Sequence, residues 1–530
     1  MITATAAGDA ALLFDTDRPP AWLAAAIEAA DLPGVRDVVP GARTVLVIIE
    51  PGSAVLDELA ARVAALPVAQ PAAGETRLVE LPVIYDGPDL ADVAELAEMT
   101  VQEVVERHSA GLYEVGWLGF APGFGYLTGL DQRLAGVPRL ATPRLAVPAG
   151  SVAIAAGLTA VYPSDSPGGW RLIGRTTVRT WDADREPPAL FGPGTTVRFI
   201  PDDRPHNGES LLWLERQRTF PVVREVASGT GTGRQLEVVR PGAFATVQDL
   251  GRAGSAAVGV PPSGAADVAS LIAANRLVGN PDGAAAVELT LGRATFRCVG
   301  GLRLAVTGAP AAVTVAVEPG QPTVDLEFGS SFGVLDGGLV SIGAPTSGLR
   351  TYVAVAGGLA TPAVLGSRSA DVLSKLGGEA LRPGDVLPVG SERRLESTRP
   401  PSSTSLGPAG PAIPARGSVA QLRVIGGPRL DWFEPHALDV LLGSIYTVSP
   451  ASNRTGLRLT GPRLPRLTGR ELPSEGMVTG SIEVPPDGQP ILLLADHPTV
   501  GGYPVIAVVV SADIGLAAQL RPGDKISYTS

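Results

Sequence analysis

Apolar positions in this chain fall into short clusters with two different periods. ALLFD, VRDVVP and RTVLVIIE, all within the first fifty residues, are strand-sized runs. Between and after them, PAWLAAAIEAA and SAVLDELAARVAAL return their apolar residues every three or four positions, which is the helical period. Strands interleaved with two amphipathic helices predict a small α/β domain over residues 1–76.

From residue 78 the texture changes to strands and turns, with two marked helices. Thr100 and Glu103 have capping-box spacing ahead of VQEVVERH, and Gly111 is the stop. GAADVASLIAANRLVG is expected to start after Pro262–Ser263 and to end at Gly279. His108 at the end of the first helix reads as a cationic partner of the helix dipole, and Asn275 in the second as a solvent-facing residue.

Three segments share one form, an apolar residue, a Pro-Gly turn and an alternating strand: LFGPGTTVRFIP, ALRPGDVLPVG and QLRPGDKISYT. Each precedes a Gly- or Pro-rich linker (225–234 and 393–418) or the last residue, as a domain-closing strand would. The fold expected is mainly β, with β-barrels at 77–224, 236–392 and 419–530 after the α/β domain.

Composition narrows the function. The 530 residues carry 65 Gly and 49 Pro alongside 45% hydrophobic residues, which suits many short strands joined by tight turns. Net charge is −11 with no basic block, so nucleic acid is not an expected partner. One cysteine, Cys298, excludes an internal disulfide. No apolar run reaches membrane-spanning length and the N-terminus lacks signal-peptide character, so a cytoplasmic location is expected. Only Lys375 and Lys525 are lysines. Neither lies in a GxxxxGK[ST] loop or beside Met, so neither a Walker-type cradle nor a biotin-carrying lysine is expected. Lys375, in VLSKLGG, reads as helical. The four histidines are far apart, and no metal site is expected.

Candidate chemistry gathers in glycine-rich stretches. GFAPGFGYLTGLD (119–131) is too broken for a helix or a long strand, yet carries Phe120, Phe124 and Tyr126. A rigid loop walling a cleft is expected, with Gly123 bringing bare backbone close to a ligand. The following stretch, 138–176, adds Arg144, Ser151, Ser166, Gly168 and Trp170 near its turns. VQDLGRAG and GVPPSGAAD supply Gln248, Asp249, Arg252 and Ser263. SNRTGLRL, VPPDGQP and ADHPTVGGYP supply Asn453, Arg454, Gln489, Asp496, His497 and Tyr503. None of these strings is a self-sufficient catalytic signature; arginines and glycine amides suit phosphate or carboxylate. Arg144, Asp249, Arg252, Asp496 and His497 are the catalytic candidates, and the others line the substrate site.

The strings resemble a known family. GFAPGFGYLTGLD with TPRLAVPAGSVAIAAGLTAVYPSDSPGGWRLIGRT is similar to the first allophanate hydrolase subunit family, a group that includes the B-type 5-oxoprolinase subunit. VQDLGRAG, GVPPSGAAD, ANRLVGNP, SNRTGLRL and VPPDGQPILLLADHPTVGGYP are similar to the second such family, which includes the C-type 5-oxoprolinase subunit. Together they resemble the carboxyltransferase part of urea carboxylase. One departure is His497-Pro498-Thr499-Val500, where the family pattern has Arg-Gln-Thr-Thr before Gly-Gly-Tyr-Pro.

The resemblance implies cyclophilin-like barrels and a fusion of the B-type and C-type 5-oxoprolinase subunits. It further implies an ATP- and Mg²⁺-dependent opening of 5-oxo-L-proline to glutamate, with a separate partner resembling the A-type 5-oxoprolinase subunit. Two other readings stay open: a carboxyltransferase using biotin carried on another chain, and a non-enzymatic binder that regulates a kinase. A homo-oligomer is compatible with each.

Overall fold

The computed structural model describes residues 2–50, 52, 55–69, 77–202, 233–317, 322–392, 413–467 and 472–530. Most of both expected linkers, at 225–232 and 393–412, lies outside the described residues.

The N-terminal sheet is antiparallel, in the order Ile2–Ala6, Ala11–Thr16, Thr44–Ile49, Val35–Pro40. Helices Pro20–Ala29 and Leu56–Ala64 cover one face, burying Leu12, Phe14, Val45 and Val47 against Leu23, Ile27, Leu59 and Val63. The alternate positions Leu13, Val39, Leu46 and Ile48 point the other way, into a cluster with Trp117, Tyr126, Ala256 and Val500. Both faces are therefore covered, which is why all six residues of TVLVII are buried.

Two seven-stranded arrangements follow, and they match strand for strand. The first runs Leu78–Val83, Arg171–Arg175, Ser151–Ala155, Leu158–Val161, Gly125–Thr128, Tyr113–Leu118, Thr196–Pro201. Its last strand lies parallel to its first, and the Ile84–Arg175 bridge joins the first two. The second is a closed barrel running Val419–Gly426, Val505–Val509, Ser481–Glu483, Ile491–Leu493, Gly456–Thr460, Tyr446–Val448, Lys525–Thr529, again with first and last strands parallel. Each also carries a two-stranded flap, Arg144–Val147 with Ser166–Gly168 and Glu475–Gly476 with Val500–Gly501. The Pro-Gly strands of the sequence are these closing strands, and Gly194 and Gly523 turn into them at φ +82° and +90°.

Between the two, residues 235–388 hold their strands in a six-stranded and a five-stranded sheet around one core, rather than in a single ring. The third Pro-Gly strand, Val386–Pro388, pairs antiparallel with the opening strand Gln235–Arg240. Cys298 is free and buried in that core.

Several local expectations change. Helix Val101–Ala110 has the complete Thr100–Glu103 capping box. His108, however, is not a charged dipole partner. It is fully buried, bonded to Tyr85 Oη at 2.8 Å and Thr159 Oγ1 at 2.9 Å, and burial lowers its pKa to about 3. Asn275, on helix Val268–Leu277, does not face solvent; its amide donates to the carbonyls of Asp282 and Ala284. Lys375 is in a turn at φ +56°, not in a helix. The second half of GFAPGFGYLTGLD is a strand, Gly125–Thr128, paired with Tyr113–Leu118.

Candidate functional site

The turn 119–124 joins those two paired strands and is pressed against the distant half of the chain. Gly123 N donates to Val258 O at 2.9 Å, and any side chain at Gly119 would strike Val500. Phe124 is buried edge-on to Tyr162 and Trp170, with centroids 5.2 and 5.8 Å away, and Tyr126 stacks on Trp117 at 4.8 Å. Of the three aromatics, only Phe120 keeps substantial exposure, 37%, and it is held at φ +65°. The expected aromatic wall is thus mainly packing that locks the turn onto its partner.

Nearby, the Arg144 guanidinium is bound to Asp89 at 2.6 Å, and Asp89 also accepts from Leu172 N at 2.7 Å. An arginine that a carboxylate already neutralises is less available to a substrate anion, and its Nη1 is buried with no hydrogen-bond partner among the described residues. Gly168 faces its neighbour Arg144 across the flap and packs against the Tyr162 hydroxyl. Ser166 Oγ is buried without a partner among the described residues, and Ser151 is buried at the start of its strand.

The second group of candidates converges far more tightly. Arg454 is buried between two carboxylates: Nε and Nη2 each reach Asp496 at 2.9 Å, Nη1 bonds Glu288, and Nη2 also donates to Gly264 O at 2.6 Å. Burial raises the pKa of Asp496 and Glu288, but the Arg454 charge outweighs it and both stay below the ordinary range. Ser263, at φ +52°, donates to Asp496 Oδ1 at 2.7 Å. Tyr352 Oη donates to Glu288 at 2.7 Å, and Arg350 lies 3.4 Å from the same carboxylate.

Asp249 is fastened by Ser367 Oγ at 2.6 Å, Ser369 Oγ at 2.5 Å and Arg368 N at 2.7 Å. Arg252 donates to the carbonyls of Val364 and Ser369, leaving Nη1 buried and unpartnered, and desolvation lowers its pKa. Gln248 donates to Thr246 and Ala370, while its carbonyl oxygen has no partner. Beside them, Asp371 binds the amides of Leu373 and Ser374 through Oδ1, and Oδ2 is free. Burial, and then the neighbouring Asp496 charge, lift Asp371 to about 6. Asp496 is thus held ionised beside a carboxyl whose pKa is raised, and the Asp371 loop also donates Val372 N to Asp496 Oδ2 at 3.2 Å.

His497 adjoins this cluster. Its Nδ1 is 2.8 Å from Pro498 O, so that nitrogen carries the proton and Nε2 the lone pair. Burial lowers its pKa and keeps it neutral. His497 lines a cavity of about 460 Å³ between the N-terminal sheet, helix Val268–Leu277 and the terminal barrel.

Two candidates have other duties, and a third is exposed. Asn453 Oδ1 caps the turn ahead of Thr455, and Gln489 clamps Gly461 by both its amide atoms. Tyr503 is largely exposed. Glu288, Tyr352, Arg350 and Asp371 were missed. A single Glu in the apolar run AAVELTLG was a usable signal, whereas Asp371 lies in a loop without motif character.

Residues 4–191 match the family described as carboxyltransferase domain, subdomain C and D, and residues 258–530 match carboxyltransferase domain, subdomain A and B. The chain is 36% identical over 302 residues to the C-type 5-oxoprolinase subunit of Escherichia coli K12, covering 90% of it. It is 40% identical over 205 residues to the B-type 5-oxoprolinase subunit of Escherichia coli O157:H7, covering 93%. It is also 32% identical over 312 residues to urea amidolyase of Lachancea kluyveri, but covers only 17% of that protein. The crystal structure of TTHA0988 superposes over 100% of both chains with TM-score 0.83 and 32% identity. The chain belongs to the carboxyltransferase-domain family and joins in one polypeptide the regions that the B-type and C-type 5-oxoprolinase subunits carry separately.

Proposed function

We propose that this protein supplies the B-type and C-type components of an ATP-dependent 5-oxoprolinase. It would act with a separate A-type partner protein to open 5-oxo-L-proline to L-glutamate. One observation carries the reading: successive parts of the chain cover nine-tenths or more of a B-type and of a C-type 5-oxoprolinase subunit. The lactam is unstrained and amide-stabilised, and ATP supplies the phosphoryl group that makes its carbonyl carbon electrophilic.

The chain's own contribution is a positioned acid–base cluster. Arg454 fixes Asp496 and Glu288 as carboxylates, Asp496 orients the Ser263 hydroxyl, and Asp371 can take or give a proton at its free Oδ2. His497 adds a neutral acceptor. Among the described residues, no group of three or more His, Cys, Asp or Glu is placed to hold a metal. Mg²⁺ is therefore proposed to enter with the nucleotide, needing only one or two carboxylates besides the phosphates. Asp371 has an oxygen to offer. Neither lysine adjoins Met, so covalent biotin on this chain is not part of the proposal. Among the described residues, no helix is long and apolar enough to cross a membrane.

The test is coupled turnover. Purified chain plus an A-type partner protein, ATP and Mg²⁺ should release ADP and glutamate in step with 5-oxo-L-proline, and little glutamate without the partner. Urea-dependent ADP release that requires a biotinylated protein would replace this reading with the carboxyltransferase one.

A further inference from the structure

The cavity beside His497 has a wall that the sequence did not point to. Strand Val35–Pro40 brings Arg36 to it, from a part of the chain 461 positions away from His497. Ile48, Ala269, Ile272 and Val508 give the chamber an apolar interior. Its volume lies within the range of about 300–1,000 Å³ that small-molecule sites occupy.

Asp9, Asp37, Thr479 and Ser511 also line it, with Asp9 accepting from Ser511 and Asp37 from Arg36 and Ala256, and three further polar groups are Arg36, Thr499 and His497. Arg36 spends Nε on Asp37 Oδ2 at 3.3 Å, and its two Nη atoms have no hydrogen-bond partner among the described residues. Asp37 is itself tied down, because its other oxygen accepts from Ala256 N at 3.1 Å. The outer edge of the guanidinium thus remains open for a second carboxylate. Thr499 is 2% exposed, and its Oγ1 has no partner among the described residues. An orphaned buried hydroxyl is costly unless a ligand or water completes it. His497 presents Nε2 as an acceptor, and the Arg36 charge is close enough to act on that ring.

We propose that this cavity is the seat of the lactam substrate, with the Arg36 fork taking its carboxylate, His497 Nε2 and Thr499 Oγ1 taking its amide, and the ring methylenes lying on Ala269 and Ile272. The inference rests on the 5-oxoprolinase reading above and adds where the substrate lies and how its carboxylate is recognised. It also gives the fusion a physical sense. Arg36 belongs to the B-type part and His497 and Thr499 to the C-type part, so neither part alone holds all three groups.

The experiment compares 5-oxo-L-proline with 2-pyrrolidinone, the same lactam without its carboxylate, in the coupled assay with an A-type partner. Arg36→Met should raise KM for 5-oxo-L-proline about 10–100-fold, the loss of one charge-assisted pair, with kcat within about threefold. Competitive inhibition by 2-pyrrolidinone should stay unchanged, so selectivity for the carboxylate disappears. Ala269→Phe, on an exposed helix position that lines the cavity, should weaken both compounds without disturbing the core. Unchanged KM in either variant overturns the cavity assignment and leaves the 5-oxoprolinase reading intact. Absence of any 5-oxoproline turnover by the wild-type chain with its partner overturns the functional reading, and the assignment with it.

Discussion

Replacing Arg454 by Met removes the only cation bonded to Asp496 among the described residues and the nearest one to Glu288. The side chain is 4% exposed, and the two carboxylates are 0% and 2% exposed, so water cannot take over the guanidinium's role. Breaking a buried pair of this kind costs about 3–5 kcal/mol, because the partners remain as uncompensated buried charge. For a cooperative unit of about 150–250 residues that corresponds to a fall in Tm of roughly 6–20 °C. The cost must also depend on pH. Asp496 and Glu288 sit below their ordinary values in the folded wild type. The stability they contribute is therefore complete above the unfolded carboxylate range and fades as pH falls through it. In the variant, burial is opposed only by Arg350 beside Glu288 and by the remaining hydrogen bonds, so both groups rise, and acid that neutralises them relieves the penalty. Differential scanning calorimetry of both proteins at pH 8 and pH 5 should show the gap in Tm narrowing on acidification. A gap under about 2 °C at pH 8, or one that does not shrink at pH 5, would show that Arg454 does not hold these carboxylates ionised.

Asp371→Asn should stabilise the chain above pH 6. Its raised value, about 6 against 3.8, means that stability falls by up to roughly 3 kcal/mol as pH rises through that window, so melting curves at about pH 3.5 and pH 8 should show little gain at the lower pH and the full gain at the higher. Gly119→Ala should cost about 1–3 kcal/mol by driving a methyl into Val500, with most of the loss restored by adding Val500→Ala; urea titration of the single and double variants decides it, and a loss without rescue would mean that the clash with Val500 is not its cause. Chains 1–224 and 236–530 expressed separately should co-purify. Their seam includes Arg429–Asp15 at 2.8 Å, Ser511–Asp9 at 2.8 Å and Ala42 N to Ser474 O at 2.8 Å, and pieces that elute apart on size exclusion would count against it.

What the sequence determined by itself was mostly local. The Thr100–Glu103 box fixes the start of a helix because both groups lie within one turn of each other. A Pro-Gly pair before an alternating run yields a strand because the turn chemistry and the period of two act over a few residues. The motifs that named the family were also legible as contiguous strings. Their convergence was not. Ser263 meets Asp496 across 233 positions, Arg454 meets Glu288 across 166, and Arg36 shares a cavity with His497 only because the N-terminal sheet packs against the terminal barrel. Charge state followed burial, which no local pattern encodes: His108 is neutral inside a core, and Arg144 is engaged by Asp89. Local rules govern which backbone shape a segment takes. Which side chains meet, and with which charge, depends on desolvation and on contacts between segments far apart in the chain, and only the packed tertiary structure sets those.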